Sequence, residues 1–211
     1  MNGEIEILQP DEIEKRSFEI IESELPHPLD PELAPVIKRV IHATADFDYA
    51  DNLYFSPEAV PTAISAIKKG AHIITDTNMA KAGINKKALA RTGSSADCFM
   101  ADEDIKKTAG EKKTTRAAAS MDKAFQLGEP LIFAIGNAPT ALLRLNELIR
   151  EEGFRPILVI GVPVGFVNVL PAKERIMEAG IPCIVARGRK GGSTVAAAIV
   201  NALLYQAGGR G

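Results

Sequence analysis

Two apolar rhythms run along this chain. The first is helical. Ile13, Ser17, Ile20, Ile21 and Leu25 share one face of a helix predicted over residues 11–25, with Asp11 as its cap and Glu14 at the reciprocal capping-box position. Pro26 and Pro28 end it, and His27 between them reads as an exposed loop residue. A second helix is predicted over residues 31–45. With Val36 at zero and about 100° per residue, Ile37, Val40, Ile41 and Thr44 fall within an arc of about 140°, a core-facing stripe. His42 falls near about 240° and Arg39 near about 300°, so an imidazole and a guanidinium stand one turn apart on the other side. Residues 46–55 read as a polar-aromatic loop.

From Ser56 the second rhythm takes over: short apolar runs alternate with helical stretches. Ser56-Pro57 reads as the start of a helix to Lys69, stopped by Gly70. Strands are predicted at residues 72–75, 97–100, 131–135, 157–160 and 183–186. Helices are predicted at 86–91 and 114–127, from about Pro139 to Glu152, up to Gly180, and after Thr194. Leu131 to Ile135 and Ile157 to Ile160 are continuously apolar, as befits strands covered on both faces. The pattern predicts an α/β fold: a doubly wound, mainly parallel five-stranded sheet, with residues 1–55 as an N-terminal helical extension and 56–211 as the core of a single domain.

Composition narrows the options. Of 211 residues, 46% are hydrophobic, enough for a proper core. A net charge of −2 argues against a general nucleic-acid binder. Residues 1–10 are acidic and lack a cationic, apolar leader pattern, and the apolar run 157–170 is broken by Gly161, Pro163 and Gly165. Neither a signal peptide nor a membrane span is expected. Cys98 and Cys183 each sit in apolar surroundings and read as buried thiols, which points to the cytoplasm. Three scattered histidines without cysteine partners make a protein-bound metal improbable.

Ligands of an open parallel sheet bind beyond the carboxyl ends of its strands. Four such ends carry unusual loops: 76–78, 136–140, 161–165 and 187–194. The last reads Arg-Gly-Arg-Lys-Gly-Gly-Ser-Thr. Its glycines let backbone approach a ligand, and the helix start after it offers N–H groups, so it reads as an anion site that includes Arg187, Arg189, Ser193 and Thr194. The alternative is a solvated basic turn. It is not a Walker A loop, because Gly192 stands where that motif needs lysine. Gly136-Asn137-Ala138-Pro139 is no dinucleotide fingerprint either. It either starts a helix or aims N–H groups and the Asn137 amide at a carboxylate. With Arg16, Arg39 and Arg116, the cations outnumber any evident catalytic carboxylate. The residues point to a polyanionic small molecule and a single titratable catalyst, His42. For His42 too there is a plainer alternative, a solvated face with an incidental histidine.

Five motifs in order resemble the precorrin-8X methylmutase family (cobalt-precorrin-8 methylmutase in the anaerobic branch) of cobalamin biosynthesis. They are Ala-Thr-Ala-Asp-Phe-Asp-Tyr-Ala at 43–50, Thr-Asp-Thr-Asn-Met-Ala at 75–80, Gly-Asn-Ala-Pro-Thr-Ala-Leu at 136–142, Gly-Val-Pro-Val-Gly-Phe-Val at 161–167 and the basic loop at 187–194. The resemblance implies a homodimer with a flavodoxin-like fold, no cofactor, and a corrinoid tetrapyrrole substrate rich in carboxylates. It implies a 1,5-methyl shift from C11 to C12, giving hydrogenobyrinic acid or its cobalt counterpart. His42 aligns with the family's proton donor/acceptor, and Arg16 and Arg39 with substrate-binding arginines. Thr44, Arg116, Gly136, Asn137, Arg187, Arg189, Ser193 and Thr194 complete the expected binding set. One departure is visible: after Gly-Phe-Val the family continues into Glu-Ser-Lys, whereas this chain reads Asn168-Val169-Leu170-Pro171-Ala172-Lys173-Glu174. A carrier that binds corrinoids without chemistry is the main alternative. A nucleotide-binding flavodoxin-like regulator is weaker for want of phosphate and ribose signatures.

Overall fold

The computed structural model describes residues 7–208. Its helices are α1 (Pro10–Glu24), α2 (Ala34–Thr44), α3 (Tyr49–Asn52), α4 (Ala59–Ile67), α5 (Asn78–Gly83), α6 (Lys86–Thr92), α7 (Glu103–Glu111), α8 (Arg116–Phe125), α9 (Pro139–Glu151), α10 (Val169–Met177) and α11 (Ser193–Gly208). The strands are β1 (Leu53–Phe55), β2 (His72–Thr75), β3 (Ser95–Asp97), β4 (Leu131–Ile135), β5 (Leu158–Gly161) and β6 (Cys183–Ala186). They form a mixed sheet in the order β1-β6-β5-β4-β2-β3, parallel except for β1, which runs antiparallel to β6.

The sheet thus has six strands, not five. The extra one, β1, lies within the stretch read as a loop. It has only three residues, and its register against β6 (Leu53 to Ala186, Phe55 to Ile184) comes from a partner far along the chain. Ser56 follows from this. It does not start the next helix; its hydroxyl accepts from the Cys183 N–H (2.8 Å) and its own N–H reaches the Cys183 carbonyl (2.9 Å). Helix α4 begins three residues later. At the other edge, β3 comes two residues earlier than its apolar pattern suggests, paired with β2 through Ser95 and Ala96.

Successive residues of the buried strands face opposite sides of the sheet. Ile73, Ile132, Ala134, Leu158, Ile160 and Ile184 face one layer, where α2, α4 and α11 pack. Ile74, Leu131, Phe133, Ile135, Val159 and Val185 face the other, built from α8, α9 and α10. Helix α11 is the hub of the first layer and touches α2, α4, α5 and α6. Its Val195, Ile199, Val200, Leu203 and Leu204 are buried, so nearly its whole circumference is apolar, as a helix enclosed by others requires. Both cysteines are buried and unpaired.

Helix α1 packs on the outside of this layer, against α2. The stripe Val36, Ile37, Val40 and Ile41 of α2 is buried as its periodicity requires. Helix α1 starts one residue before the expected cap. Gln9 caps it, with the Gln9 N–H donating to the Glu12 carboxylate (3.1 Å). Glu14, released from a capping role, reaches Arg39 of α2.

Candidate active site

The sheet order reverses at β2, which has β3 on one side and β4 on the other. Such a switch point opens a crevice at the carboxyl edge. Here the crevice holds a carboxylate of the protein itself. Asp76 is fully buried. It accepts N–H bonds from Gly136 (2.8 Å), Asn137 (2.8 Å) and Ala138 (2.6 Å). Burial pushes the Asp76 carboxyl above its usual range, and the three donors oppose that rise. The backbone donors of Gly136 and Asn137 are therefore engaged within the chain. This corrects the expectation that they point at a bound carboxylate, and leaves the exposed Asn137 side chain as that loop's polar group. Glycine at 136 has a packing reason: a Cβ there would lie 2.7 Å from the Ser193 Cα and 2.8 Å from the Gly192 carbonyl oxygen.

The basic loop closes on the same edge. Gly191 has φ of 154°, and a Cβ there would run into the Val162 carbonyl. The glycines thus serve first to seat the loop against its neighbours. The Gly192 N–H bonds Val162 (2.9 Å), and Ser193 Oγ shares a hydrogen with Thr77 Oγ1 (2.7 Å). Lys190 is neutralised by Asp46 (2.7 Å) and Asp48 (2.5 Å), which follow α2. Arg187 and Arg189 are exposed. The Arg187 guanidinium lies over Tyr54 and that of Arg189 over Phe166, 5.1 and 5.6 Å from the ring centres. Phe166 is itself 82% exposed, with Val167 and Val164 beside it in sequence.

The Lys190 pairs tie the loop after α2 to this edge, and α2 brings His42. The imidazole is exposed and stacks on Phe18 of α1, with ring centres 5.3 Å apart and planes 8° from parallel. Arg39 is mostly buried. Its guanidinium pairs with Glu14 (2.5 Å) and lies over Phe18 (4.6 Å) and Tyr205 (5.3 Å). Partial burial lowers the His42 pKa from its ordinary value, and the Arg39 charge lowers it further. Thr44 is held locally: its hydroxyl donates to the Val40 carbonyl (2.8 Å) and accepts the Asp46 N–H (3.3 Å). A cleft of about 280 Å³ between α2, α5 and α11 is walled by Arg39, Ala43, Met79 and Thr194.

A larger cavity, about 770 Å³, opens at the opposite, amino ends of the strands. His72 on its wall is already engaged by Glu129 (2.5 Å) and Asp97 (2.9 Å). None of the residues singled out for chemistry lines it, and the carboxyl edge remains the better-founded site.

A sequence model of the precorrin-8X methylmutase family matches residues 12–206. The chain belongs to that family. It is 46% identical over 208 residues to a cobalt-precorrin-8 methylmutase of Leptospira interrogans, covering 94% of each chain. It is 44% identical to one from Priestia megaterium, covering 93% of this chain and 88% of that one. The crystal structure of a precorrin-8X methylmutase from Thermus thermophilus superposes with a TM-score of 0.86 at 43% identity, over 92% of this chain and 96% of the other.

Set against precorrin-8X methylmutase motifs, the expected residues divide into groups. Gly136 and Ser193 are packed together, and Arg39 and Thr194 share the cleft. Arg187 and Arg189 flank that edge. Arg116 opens α8 on the opposite layer, yet Thr115 beside it meets Thr140 of α9 (2.9 Å), so it belongs to the same end of the sheet. Arg16 stands on α1, half exposed, 3.6 Å from Glu19. The sequence did not single out Phe18, Tyr205, Tyr54 or Phe166, the rings against which His42 and the arginines pack. Phe18 was findable only as the ring one turn after Glu14 on α1. Among the described residues no group of three His, Cys, Asp or Glu side chains is arranged for a metal ion, and no helix is long and apolar enough to cross a membrane.

Proposed function

We propose that this chain is an isomerase that moves a methyl group from C11 to C12 of precorrin-8X or cobalt-precorrin-8, with His42 as the proton donor and acceptor. Membership of the methylmutase family across residues 12–206 carries this reading. The relatives are named as methylmutases, which leaves the non-catalytic carrier without support. The fold supports it too. With β1 set aside, the parallel strands run in the order 2-1-3-4-5, which is consistent with a flavodoxin-like arrangement, and sheets of that kind bind ligands at the carboxyl edge.

The chemistry asks little of the protein. Protonation of a ring atom by His42 redistributes the π-electrons and lowers the barrier to a suprafacial 1,5-shift. No redox partner, nucleotide or metal of the protein takes part. Arg187, Arg189, Arg39, Arg16 and Arg116 meet the peripheral carboxylates, where guanidinium groups bind bidentately. Thr44, Asn137, Ser193 and Thr194 supply neutral hydrogen bonds. Because Arg39 is already paired with Glu14, a substrate carboxylate competes with that partner. Substrate is a small molecule, neither nucleic acid nor membrane is a partner, and the compartment is the cytoplasm.

Replacing both Arg187 and Arg189 by alanine is expected to weaken corrinoid binding by about a hundredfold, on the order of 1.4 kcal/mol for each guanidinium removed. Unfolding should barely change, since both side chains are exposed. Titration with hydrogenobyrinic acid at moderate salt checks this. Unchanged affinity reduces the loop to a solvated turn.

The reading also includes a two-fold dimer. A cleft of about 280 Å³ is too small for a macrocycle with many side arms, since pockets for drug-sized ligands alone run to roughly 300–1,000 Å³. A second copy, whose nearest attractive surface is the exposed Met79, Phe166 and Val167, would complete the walls. Sedimentation is expected to give twice 22.6 kDa. A fully active monomer contradicts it.

A further inference from the structure

Helix α10 contains one residue that its surroundings do not explain as packing. Lys173 is 1% exposed, and among the described residues no carboxylate pairs with it. A buried ammonium without a counter-ion is costly unless its N–H groups are satisfied. Its two hydrogen-bond partners are both in the basic loop: the carbonyls of Gly188 (2.8 Å) and Lys190 (2.9 Å). The carbonyl between them, that of Arg189, accepts the Gly165 N–H (3.2 Å). Three consecutive carbonyls are thereby fixed, and the Arg187 N–H is fixed to Asn52 (2.8 Å). The loop carries Gly188 at φ of 74° and Gly191 at 154°, glycine conformations that leave it free to collapse into other shapes when nothing holds it.

We propose that Lys173 is a positioning residue for the reaction: by gripping the carbonyls on either side of Arg189 from beneath, it holds the Arg187 and Arg189 guanidinium groups ready for the substrate's carboxylates. The inference rests on the reading of loop 187–194 as the carboxylate-binding element. It gives Lys173 a part in binding that involves no contact with substrate. A loop ordered beforehand loses less conformational freedom on binding, and affinity rises accordingly. The lowered pKa of the ammonium, about 8, follows from its burial and agrees with a group held by neutral carbonyls alone.

The test is K173M, which keeps most of the side-chain volume and removes the donors, measured beside the Arg187→Ala/Arg189→Ala double variant. For K173M the KM should rise about tenfold and the dissociation constant of hydrogenobyrinic acid likewise, with kcat held within about threefold. K173Q, which restores two neutral N–H donors on a shorter arm, should recover part of the affinity. A purely structural lysine would lower the active fraction, and so kcat, while KM and affinity of the folded fraction stay parental. That result overturns the proposal, as does failure of both K173M and K173Q to fold. Loss of binding in the arginine variant alone leaves the loop reading intact and removes only the role of Lys173. Parental binding by the arginine variant removes the loop reading itself.

Discussion

Replacing His42 by alanine should leave a folded protein that binds corrinoid and turns it over about 10²–10⁴-fold more slowly, the range that a positioned proton donor contributes. Folding survives because the imidazole is exposed and faces away from the buried stripe of α2. Only the stack on Phe18 disappears, worth about 1 kcal/mol. On the proposed reading binding survives, because the arginines that would meet the carboxylates remain. In the parent, partial burial and then Arg39 hold the imidazole below its ordinary 6.5. The ionisation seen in kcat/KM against pH should therefore fall below that value, and Arg39→Ala should move it upward by removing a like charge. Single-turnover conversion at saturating substrate decides the matter: a His42→Ala variant that rearranges the methyl at the parental rate makes the histidine a bystander.

The largest effect on stability should come from Asp76→Ala. The substitution strands the N–H groups of Gly136, Asn137 and Ala138, all three of which the carboxylate satisfies. Each stranded donor costs about 1–3 kcal/mol, so a loss of about 3 kcal/mol or more is expected. Asp76→Asn, which keeps one acceptor oxygen, should cost less. Urea unfolding measures both, and a parental midpoint for Asp76→Ala would show that water replaces the carboxylate without penalty. The same loop packs on Ser193 at the start of α11.

These two residues also show what could be read from the chain. His42 was legible because α2 declares its orientation locally: four buried aliphatics at helical spacing fix which side faces outward. Strands β4 and β5 were legible as unbroken apolar runs. The relation of Gly136 and Asn137 to carboxylates was not, because the carboxylate that fills the crevice is Asp76, sixty positions before Gly136. Strand β1 was missed for the same reason: three residues acquire a register only from β6, far downstream. Helix α5 carries too few turns for periodicity to declare it, and α7 buries only Ile105 and Ala109, too few apolar positions to mark a face. Lys173 was not singled out, since nothing in its own helix announces that its ammonium ends beneath another loop.

Helix α11 has a consequence for biosynthesis. The ribosome makes α2, α4, α5 and α6 long before it makes α11, yet α11 is the surface on which all four come to rest. Until it emerges, Val36, Val40, Ala63 and their neighbours lack the wall that covers them in the finished protein. The nascent chain is therefore an open species with apolar surface on show for most of its synthesis, the kind that chaperones hold. The helix that carries His42 gains its wall only once α11 is made, so a ribosome that stalls before Ser193 leaves that helix uncovered.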